Sequence, residues 1–485
     1  MSDASPDASP DASPDSNPDA ARALATLWLD AGLPEAALRH ACLPGSDPVL
    51  PSSFRLATAA QASIGAAALA AAEIGHRRGA ARQQVGVSAL DAALECGMHY
   101  RIDGRTPDAW DPLSSLYRCG GGALPQWLRL HANFAHHRDG ALRLLGLPPG
   151  PATGRAAVQA ALAGWSAEGF ESAAAEAGLV VAALRSFDEW DRHPQGLALA
   201  GAPVISLEKI GEAPPQRWSE LSNGSAPLSG LRVLDLTRIL AGPVAGRALA
   251  AYGAEVMLVN SPGLPNIEAI ADTSRGKLSA HLDLRQPAGA AALRALLRDA
   301  QVFMQGYRPD ALAALGFDPD TLASLRPGIV CVSLSAYGAR GPWAGRRGFD
   351  SLVQTATGFN DAEARAAGSA EPRAMPCQII DYASGYLMAF GAQAALLRQA
   401  REGGSWHVRV SLARTGLWLR GLGRVERGFD VAQPPFEHRL VETGSGFGRL
   451  AALPHPARFT ATPAHWARPS VPPGTHPPAW PAFDH

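Results

Sequence analysis

From Leu228 to Ser411, short apolar runs alternate with helical segments at regular spacing. The first unit has an apolar run at 231–236, a helix that opens at Ala-Gly-Pro (241–243), and a second apolar run at 254–259. A nearly continuous apolar run indicates a strand that is buried on both faces, and such strands separated by helices form parallel sheets. We therefore predict an α/β fold with a Rossmann-like, mostly parallel sheet and flanking helices.

The same alternation predicts the other elements of this part of the chain. We expect further strands near 279–284, 301–305 and 328–334, and helices near 287–299, 309–325 and 382–400. A helical crossover returns the chain to the same edge of the sheet, as parallel pairing requires.

Composition divides the chain into four segments. Residues 1–20 repeat Asp-Ala-Ser-Pro and contain almost nothing apolar, so we expect a disordered tail. Residues 21–225 are mostly helical in pattern and end in a linker rich in Pro, Gly and Ser. Residues 226–430 contain the α/β domain, and residues 431–485 form a Pro-rich, largely irregular C-terminal extension.

Composition also limits the partners and the compartment. The chain of 485 residues is 47% hydrophobic and 18% charged with a formal net charge of −1, so it indicates no nucleic-acid or membrane partner. Its five dispersed cysteines form no Cys-x-x-Cys pair, which fits a reducing compartment. The N-terminus has no signal-peptide pattern, and the Ala-rich stretch 64–72 is too short to span a bilayer. We expect a cytoplasmic protein.

The chain contains one internal similarity. Residues 381–415 align without gaps on residues 58–92, and each copy has an Ala-rich helix, a basic Gly-containing turn and a short strand that ends in Val-Ser. The shared order favours a duplication, and chance similarity between Ala-rich helices is the alternative. In this alignment Asp381 faces Thr58, so only the second copy carries a carboxylate.

Residues 228–415 contain an ordered set of motifs, which is LSGLRVLDLTRILAGP, AYGAEVMLV, RGKLSAHLDLR, DAQVFMQGYRPDALAALGF, RGFDSLVQTATG and IIDYASGYLMAFGAQAALLRQ. In this order and spacing they resemble the class III coenzyme A transferase family of the formyl-CoA transferase type. The first 225 residues resemble the second half of the same family, as if a partial unit were fused ahead of another. The resemblance implies the family fold, with a smaller α+β domain beside the Rossmann-like sheet.

The resemblance also implies an activity. Asp381 stands where the family places its catalytic aspartate, although an Asp at a helix start is otherwise an ordinary N-cap. The implied reaction transfers CoA between an acyl-CoA and a carboxylic acid through an aspartyl anhydride and an aspartyl-CoA thioester. With an ordinary pKa near 4, this carboxylate would be ionised at neutral pH. Coenzyme A and acyl-CoA are then substrates, no cofactor is bound permanently, and a homodimer is expected.

The same resemblance assigns six residues to CoA binding, namely Ala241, Gly242, Pro243, Lys277, Tyr307 and Arg308. Arginine suits phosphate because its guanidinium offers donors in a fixed fork. Small residues such as Gly385 are candidates for stabilising the developing oxyanions. His131, His136 and His137 have no Cys or carboxylate at ligand spacing, so we predict no metal site.

Departures from the family pattern keep two alternatives open. Leu258, Asn260 and Ser261 stand where the family has charged residues that meet CoA, which favours a degenerate, non-catalytic homologue that acts as a binding or scaffold subunit. The other alternative is another acyl-CoA enzyme, such as a racemase. Phe349 replaces the histidine of the α-methylacyl-CoA racemases and leaves only Asp350 of that pair, which counts against proton exchange.

Overall fold

The structure is a computed structural model, and it describes residues 16–120, 126–308 and 310–482. Its strands, in chain order, are β1 (Ala41–Cys42), β2 (Val85–Val87), β3 (Tyr100–Ile102), β4 (Ser115–Cys119), β5 (Gln126–Leu130), β6 (Val181–Ala183), β7 (Ser206–Gly211), β8 (Arg232–Leu236), β9 (Glu255–Asn260), β10 (Leu278–His281), β11 (Val302–Gln305), β12 (Val330–Ser335), β13 (Ser405–Ser411), β14 (Val441–Ser445), β15 (Gly448–Ala452) and β16 (Ala457–Phe459).

Its helices, in chain order, are α1 (Pro18–Asp30), α2 (Leu56–Arg77), α3 (Ala89–Glu95), α4 (Ala135–Leu144), α5 (Arg155–Leu162), α6 (Ala167–Glu176), α7 (Phe187–Arg192), α8 (Pro194–Ala200), α9 (Ala241–Ala251), α10 (Ile270–Thr273), α11 (Pro287–Leu297), α12 (Pro319–Leu325), α13 (Asp350–Ala356), α14 (Phe359–Ala366), α15 (Ile379–Glu402) and α16 (Leu412–Gly421).

The main sheet has the strand order β10-β9-β8-β11-β12-β13-β7. The first six strands are parallel, as predicted, and β7 closes one edge in the antiparallel direction. Side chains alternate across the sheet. On β12, Val330 and Val332 join the core beneath α9 and α15, whereas Cys331 joins the core beneath α11 and α12. The sheet is therefore buried on both faces, which is why its strands are nearly continuous apolar runs.

A smaller α+β domain lies beside this sheet, as expected. Strands β4, β5 and β6 form an antiparallel sheet that packs with α4, α5 and α6. Tyr117, Leu128 and Phe170 lie in its own apolar core, which is separate from the cores of the main sheet.

The internal similarity corresponds to two similar substructures. Thr58 is the third residue of α2, and Asp381 is the third residue of α15. Each helix is followed by a strand, and the Ser that ends each Val-Ser pair caps the next helix, Ser88 for α3 and Ser411 for α16. Each of these strands also pairs in parallel with an earlier one, β2 with β1 and β13 with β12.

The two repeated helices pack against each other, so the first and second parts of the chain share one core. The amide of Gln393 donates to the carbonyl of Ala67 at 3.0 Å, and Trp28 stacks on Phe390 with ring centroids 5.9 Å apart. Among the described residues, α2 alone has the length and composition to cross a membrane, but its most apolar stretch is entirely buried inside the protein. A helix that is buried in this way is a core helix of the protein.

Three local predictions differ from the structure. The helix predicted over 309–325 is broken, because Gly316 is left-handed with φ of 76° and α12 begins only at Pro319. Helix α1 begins at Pro18, inside the predicted 1–20 tail, and residues 1–15 lie outside the described residues. The C-terminal extension is less irregular than expected, because β15 pairs with β3 and β16 pairs with β2.

Candidate active site

The carboxyl ends of β8, β11, β12 and β13 meet at one cavity of about 370 Å³. Ligands of open parallel sheets bind at this edge. One wall comes from the smaller domain, and the floor includes the first turn of α15. The residues discussed below that line the cavity are Phe134, His136, His137, Arg238, Ile239, Ala241, Tyr307, Arg308, Arg346, Arg347, Phe349 and Asp381.

Asp381 lies in the first turn of α15 and is 8% exposed, toward the cavity. The alternative that Asp381 is an ordinary N-cap is wrong, because Gln378 holds the N-cap position. Within the described part of the chain, the Asp381 carboxylate has neither an ion-pair partner nor a hydrogen-bond donor. A buried carboxylate without such partners is costly to keep, so its position beside a cavity suggests a chemical role.

Asp350 lies against Asp381. Its Oδ2 accepts the backbone N–H of Asp381 at 2.9 Å, and its Oδ1 accepts from the Gln354 amide at 2.5 Å. Burial raises the pKa of Asp350 to about 6, and burial together with the nearby Asp350 charge raises the pKa of Asp381 well above its usual range. The expectation that Asp381 has an ordinary pKa near 4 is therefore wrong.

Four arginines line the cavity, and three of them are held by the protein. Arg238 donates to a backbone carbonyl, Arg347 donates to another at 2.9 Å, and Arg346 stacks over Trp343 at 4.0 Å from the ring centroid. The Arg308 guanidinium has no hydrogen bond or ion pair within the described residues. It is therefore the arginine best placed to bind an anionic group of a ligand.

The structure brings together some of the predicted CoA-binding residues and not others. Ala241, Tyr307 and Arg308 line the same cavity as Asp381. Gly242 and Pro243 are buried within the first turn of α9 and do not line it. A Cβ at Gly242 would lie 2.3 Å from the Thr237 side chain, so this glycine serves the packing of the helix on the preceding loop.

Lys277, which the sequence assigned to CoA binding, does not line this cavity. Its side chain is fully buried, and its Nζ lies 2.8 Å from Asp235 Oδ2 and 2.8 Å from the Pro243 carbonyl. A buried ammonium held by a carboxylate and a carbonyl is not available to a phosphate. Lys277 instead neutralises Asp235 and fixes the first turn of α9.

Sequence reasoning missed the wall that the smaller domain contributes. Phe134, His136 and His137 line the cavity, and His131 stacks on Phe349 with ring centroids 4.1 Å apart. These residues lie far from Asp381 in the chain, and no motif marked them as part of a site. The histidines were considered only as metal ligands; among the described residues no cluster of three metal-binding side chains occurs.

The loop before α9 carries backbone strain at the cavity. Ile239 has φ of 75°, a conformation that a β-branched residue rarely adopts. Such residues cost about 1–3 kcal/mol each and cluster at functional sites. The strained loop therefore marks the same cavity independently of Asp381.

Gly385, a candidate for stabilising the oxyanions, does not line the cavity and lies instead at a helix crossing. A Cβ there would lie 2.4 Å from the Ala241 carbonyl and 3.0 Å from Val244, because α15 crosses α9 closely at this point. We expect Gly385→Ala to lower the free energy of unfolding by about 1–3 kcal/mol through overpacking. Gly421, also helical and with open space around its Cα, is the matched control.

Gly421→Ala is expected to leave stability unchanged or to raise it by about 0.4–1 kcal/mol. Urea unfolding of both variants measures the difference. Equal effects at the two positions would contradict the close helix crossing.

Comparison with known proteins shows what the second part of the chain is similar to. The family model for CoA-transferase family III matches residues 228–434. The succinate–glutarate CoA-transferase of Agrobacterium fabrum is 34% identical over 214 residues, which are 40% of this chain and 53% of that protein. The probable fatty acyl-CoA transferase Rv3272 of Mycobacterium tuberculosis is 35% identical over 213 residues, which are 41% of this chain and 54% of that protein.

Among solved structures, the hypothetical protein Rv3272 of Mycobacterium tuberculosis aligns with a TM-score of 0.38 and 35% identity, over 41% of this chain and 58% of that one. The chain spans about half the length of the curated relatives that it matches. The matched range contains strands β8 to β13 of the main sheet and Asp381, and over this range the chain is similar to CoA-transferase family III.

Proposed function

We propose that this protein transfers coenzyme A between an acyl-CoA and a carboxylic acid, with Asp381 as the nucleophile. The observation that carries the proposal is an unpaired, buried carboxylate in a cavity that four arginines line. Acyl-CoA and carboxylic acids are both anionic, so arginines at the cavity favour their binding. The similarity of residues 228–434 to CoA-transferase family III supports the same assignment.

In the proposed reaction, a carboxylate oxygen of Asp381 attacks the thioester carbonyl of the donor. The C–S bond breaks, CoA leaves as the thiolate, and a mixed anhydride forms on Asp381. The thiolate then attacks the Asp381 carbonyl, which releases the donor acid and leaves an aspartyl-CoA thioester. The acceptor acid repeats these two steps in reverse and restores the carboxylate of Asp381.

Only the ionised form of Asp381 is nucleophilic, so its raised pKa affects the rate of the first step. A carboxylate with a higher pKa is the stronger nucleophile once it is ionised, but a smaller fraction is ionised at neutral pH. Excluding water from the cavity strengthens both the repulsion between Asp381 and Asp350 and the attraction of Asp350 to Arg129.

The experiment that tests the proposal is an exchange assay. The printed name of one relative, succinate–glutarate CoA-transferase, makes succinyl-CoA the first donor to try. It is incubated with the protein and a panel of dicarboxylic, bile and carnitine-like acids, and new acyl-CoA species are followed by mass spectrometry. We expect at least one acceptor to receive CoA.

Calorimetric titration with CoA separates the alternatives when no exchange is seen. Binding of CoA without exchange across a broader donor panel would support a non-catalytic binding subunit. Absence of binding at millimolar CoA would contradict a CoA site altogether. Inversion of a chiral 2-methylacyl-CoA without exchange would support a racemase instead.

The expected homodimer and cytoplasmic location stay predictions. The first part of the chain already packs its α2 against α15 of the second part, so one chain covers this face of α15 by itself. Light scattering of the purified protein measures its oligomeric state.

A further inference from the structure

Asp350 is held by a network of buried amides. It is the first residue of α13 and is 1% exposed. One carboxylate oxygen accepts from Gln354, whose own amide oxygen accepts from the Met375 backbone at 3.0 Å and from Asn360 at 3.2 Å. The other oxygen accepts the backbone N–H of Asp381 at 2.9 Å. Each of these contacts limits how far the Asp350 carboxylate can move.

This contact replaces a missing helix cap. The first N–H groups of a helix have no partner within the helix, and a negative charge there is favourable. Gln378 at the N-cap of α15 makes no side-chain capping bond. Asp350 therefore supplies from α13 the acceptor that α15 does not supply for itself.

Comparison with the first copy of the repeat distinguishes the helix-capping role of Asp350 from a chemical role. At the start of α2, Asp47 accepts the backbone N–H of Ala57 at 2.9 Å and of Thr58 at 2.8 Å. A carboxylate thus caps the corresponding turn in both copies. Only in the second copy does the capped turn carry another carboxylate, because Asp381 corresponds to Thr58.

We propose that Asp350 is a positioning residue for Asp381: it fixes the first turn of α15 and places a second carboxylate beside the nucleophile. This inference rests on the proposed function, since it assigns a role toward the same nucleophile. Asp350 thus influences the pH at which Asp381 ionises, without itself contacting the acyl group.

Burial is the largest cause of the raised pKa of Asp381, and Asp350 is the charged group that adds to it. Among the described residues, Asp350 is the titratable group that acts on Asp381. Arg129, from β5, acts on Asp350 and favours its charged form. The Cys377 and Cys96 thiols also lie near Asp350, but burial raises the pKa of both, so they are neutral. The four cavity arginines and His136 and His137 of the smaller domain line the same cavity as Asp381.

The test compares Asp350→Asn with the matched control Asp47→Asn. Asparagine keeps the size of the side chain and one acceptor oxygen, but removes the charge. The readout is the rate of Asp381 acylation by the active donor between pH 5 and pH 9, trapped with hydroxylamine. Since a neighbouring negative charge raises the pKa of an acid, its removal lowers that pKa, and the midpoint of the profile should fall by about one pH unit or more.

Asp47→Asn should lower the melting temperature while leaving the midpoint unchanged, because Asp47 caps a turn without a second acid. If Asp350→Asn does not fold, Asp350→Ser removes the same charge and should show the same downward shift. An unchanged midpoint in a folded Asp350 variant, or an equal shift in Asp47→Asn, would overturn the inference. Absence of acylation in the unmodified protein at every pH would instead overturn the proposed function.

Discussion

Replacing Asp381 with alanine or asparagine is expected to lower the rate of CoA exchange by about a thousandfold or more, because the nucleophile is lost. Neither side chain can form the anhydride or the aspartyl-CoA thioester. Thr58→Ser, at the matching position of the first copy, should leave the exchange rate unchanged. Full exchange activity in Asp381→Ala would contradict the assignment.

The fold of the Asp381 variants should remain intact. The folded-state pKa of Asp381 is raised, so its ionisation costs stability as the pH rises from the usual carboxyl range toward the raised value. Asp381→Asn removes this cost, and we expect its melting temperature at pH 8 to equal or exceed that of the unmodified protein. A large decrease in melting temperature would indicate that Asp381 supports the fold.

Replacing Arg247 with alanine is expected to have the largest effect on stability. Its guanidinium is buried and pairs with Glu95 from the first part of the chain and with Asp272 from α10. The Tyr386 hydroxyl on α15 donates to the same Glu95 at 2.8 Å. Removal of the arginine leaves the buried Glu95 without an ion-pair partner and Asp272 with Arg275 alone, which lowers the free energy of unfolding by about 3–5 kcal/mol.

Arg398→Ala provides the contrast. Arg398 pairs with Glu402 one helical turn away, and both side chains are partly exposed. Such a pair contributes about 0.3–0.5 kcal/mol. Urea unfolding of both variants measures the difference, and similar effects would contradict a buried network that joins the two parts of the chain.

The sheet was predictable because its physical signature is local. Strands buried on both faces must be apolar along their whole length, so β8, β9 and β12 are visible as short apolar runs. The prediction of one helix over 309–325 is wrong for an equally local reason. Gly316 and the Asp318-Pro319 step interrupt the helix in spite of the apolar periodicity on either side of them.

The site was predictable only in part. Asp381, Tyr307 and Arg308 lie in motifs at strand or helix ends, where parallel sheets bind ligands. For Lys277, the sequence carries the charge but not the direction of the side chain, which is decided by the long-range pairing with Asp235. The contribution of Phe134 depends on how the smaller domain packs, which no local pattern records.

The effect of Asp350 on Asp381 could not be predicted for the same reason. The two residues are separated by 31 positions, and their interaction arises only because α13 packs beside the start of α15. The sequence identified Asp350 as the remaining member of a pair and gave no sign that it raises the pKa of the nucleophile.

The most direct measurement is the site of acylation during turnover. The protein is incubated with an acyl-CoA donor that supports exchange, treated with hydroxylamine, digested and analysed by peptide mass spectrometry. We predict a hydroxamate on Asp381 in the unmodified protein and none at this position in Asp381→Asn. Active exchange with the adduct only on another residue, or with no covalent adduct under single-turnover conditions, would contradict Asp381 as the nucleophile.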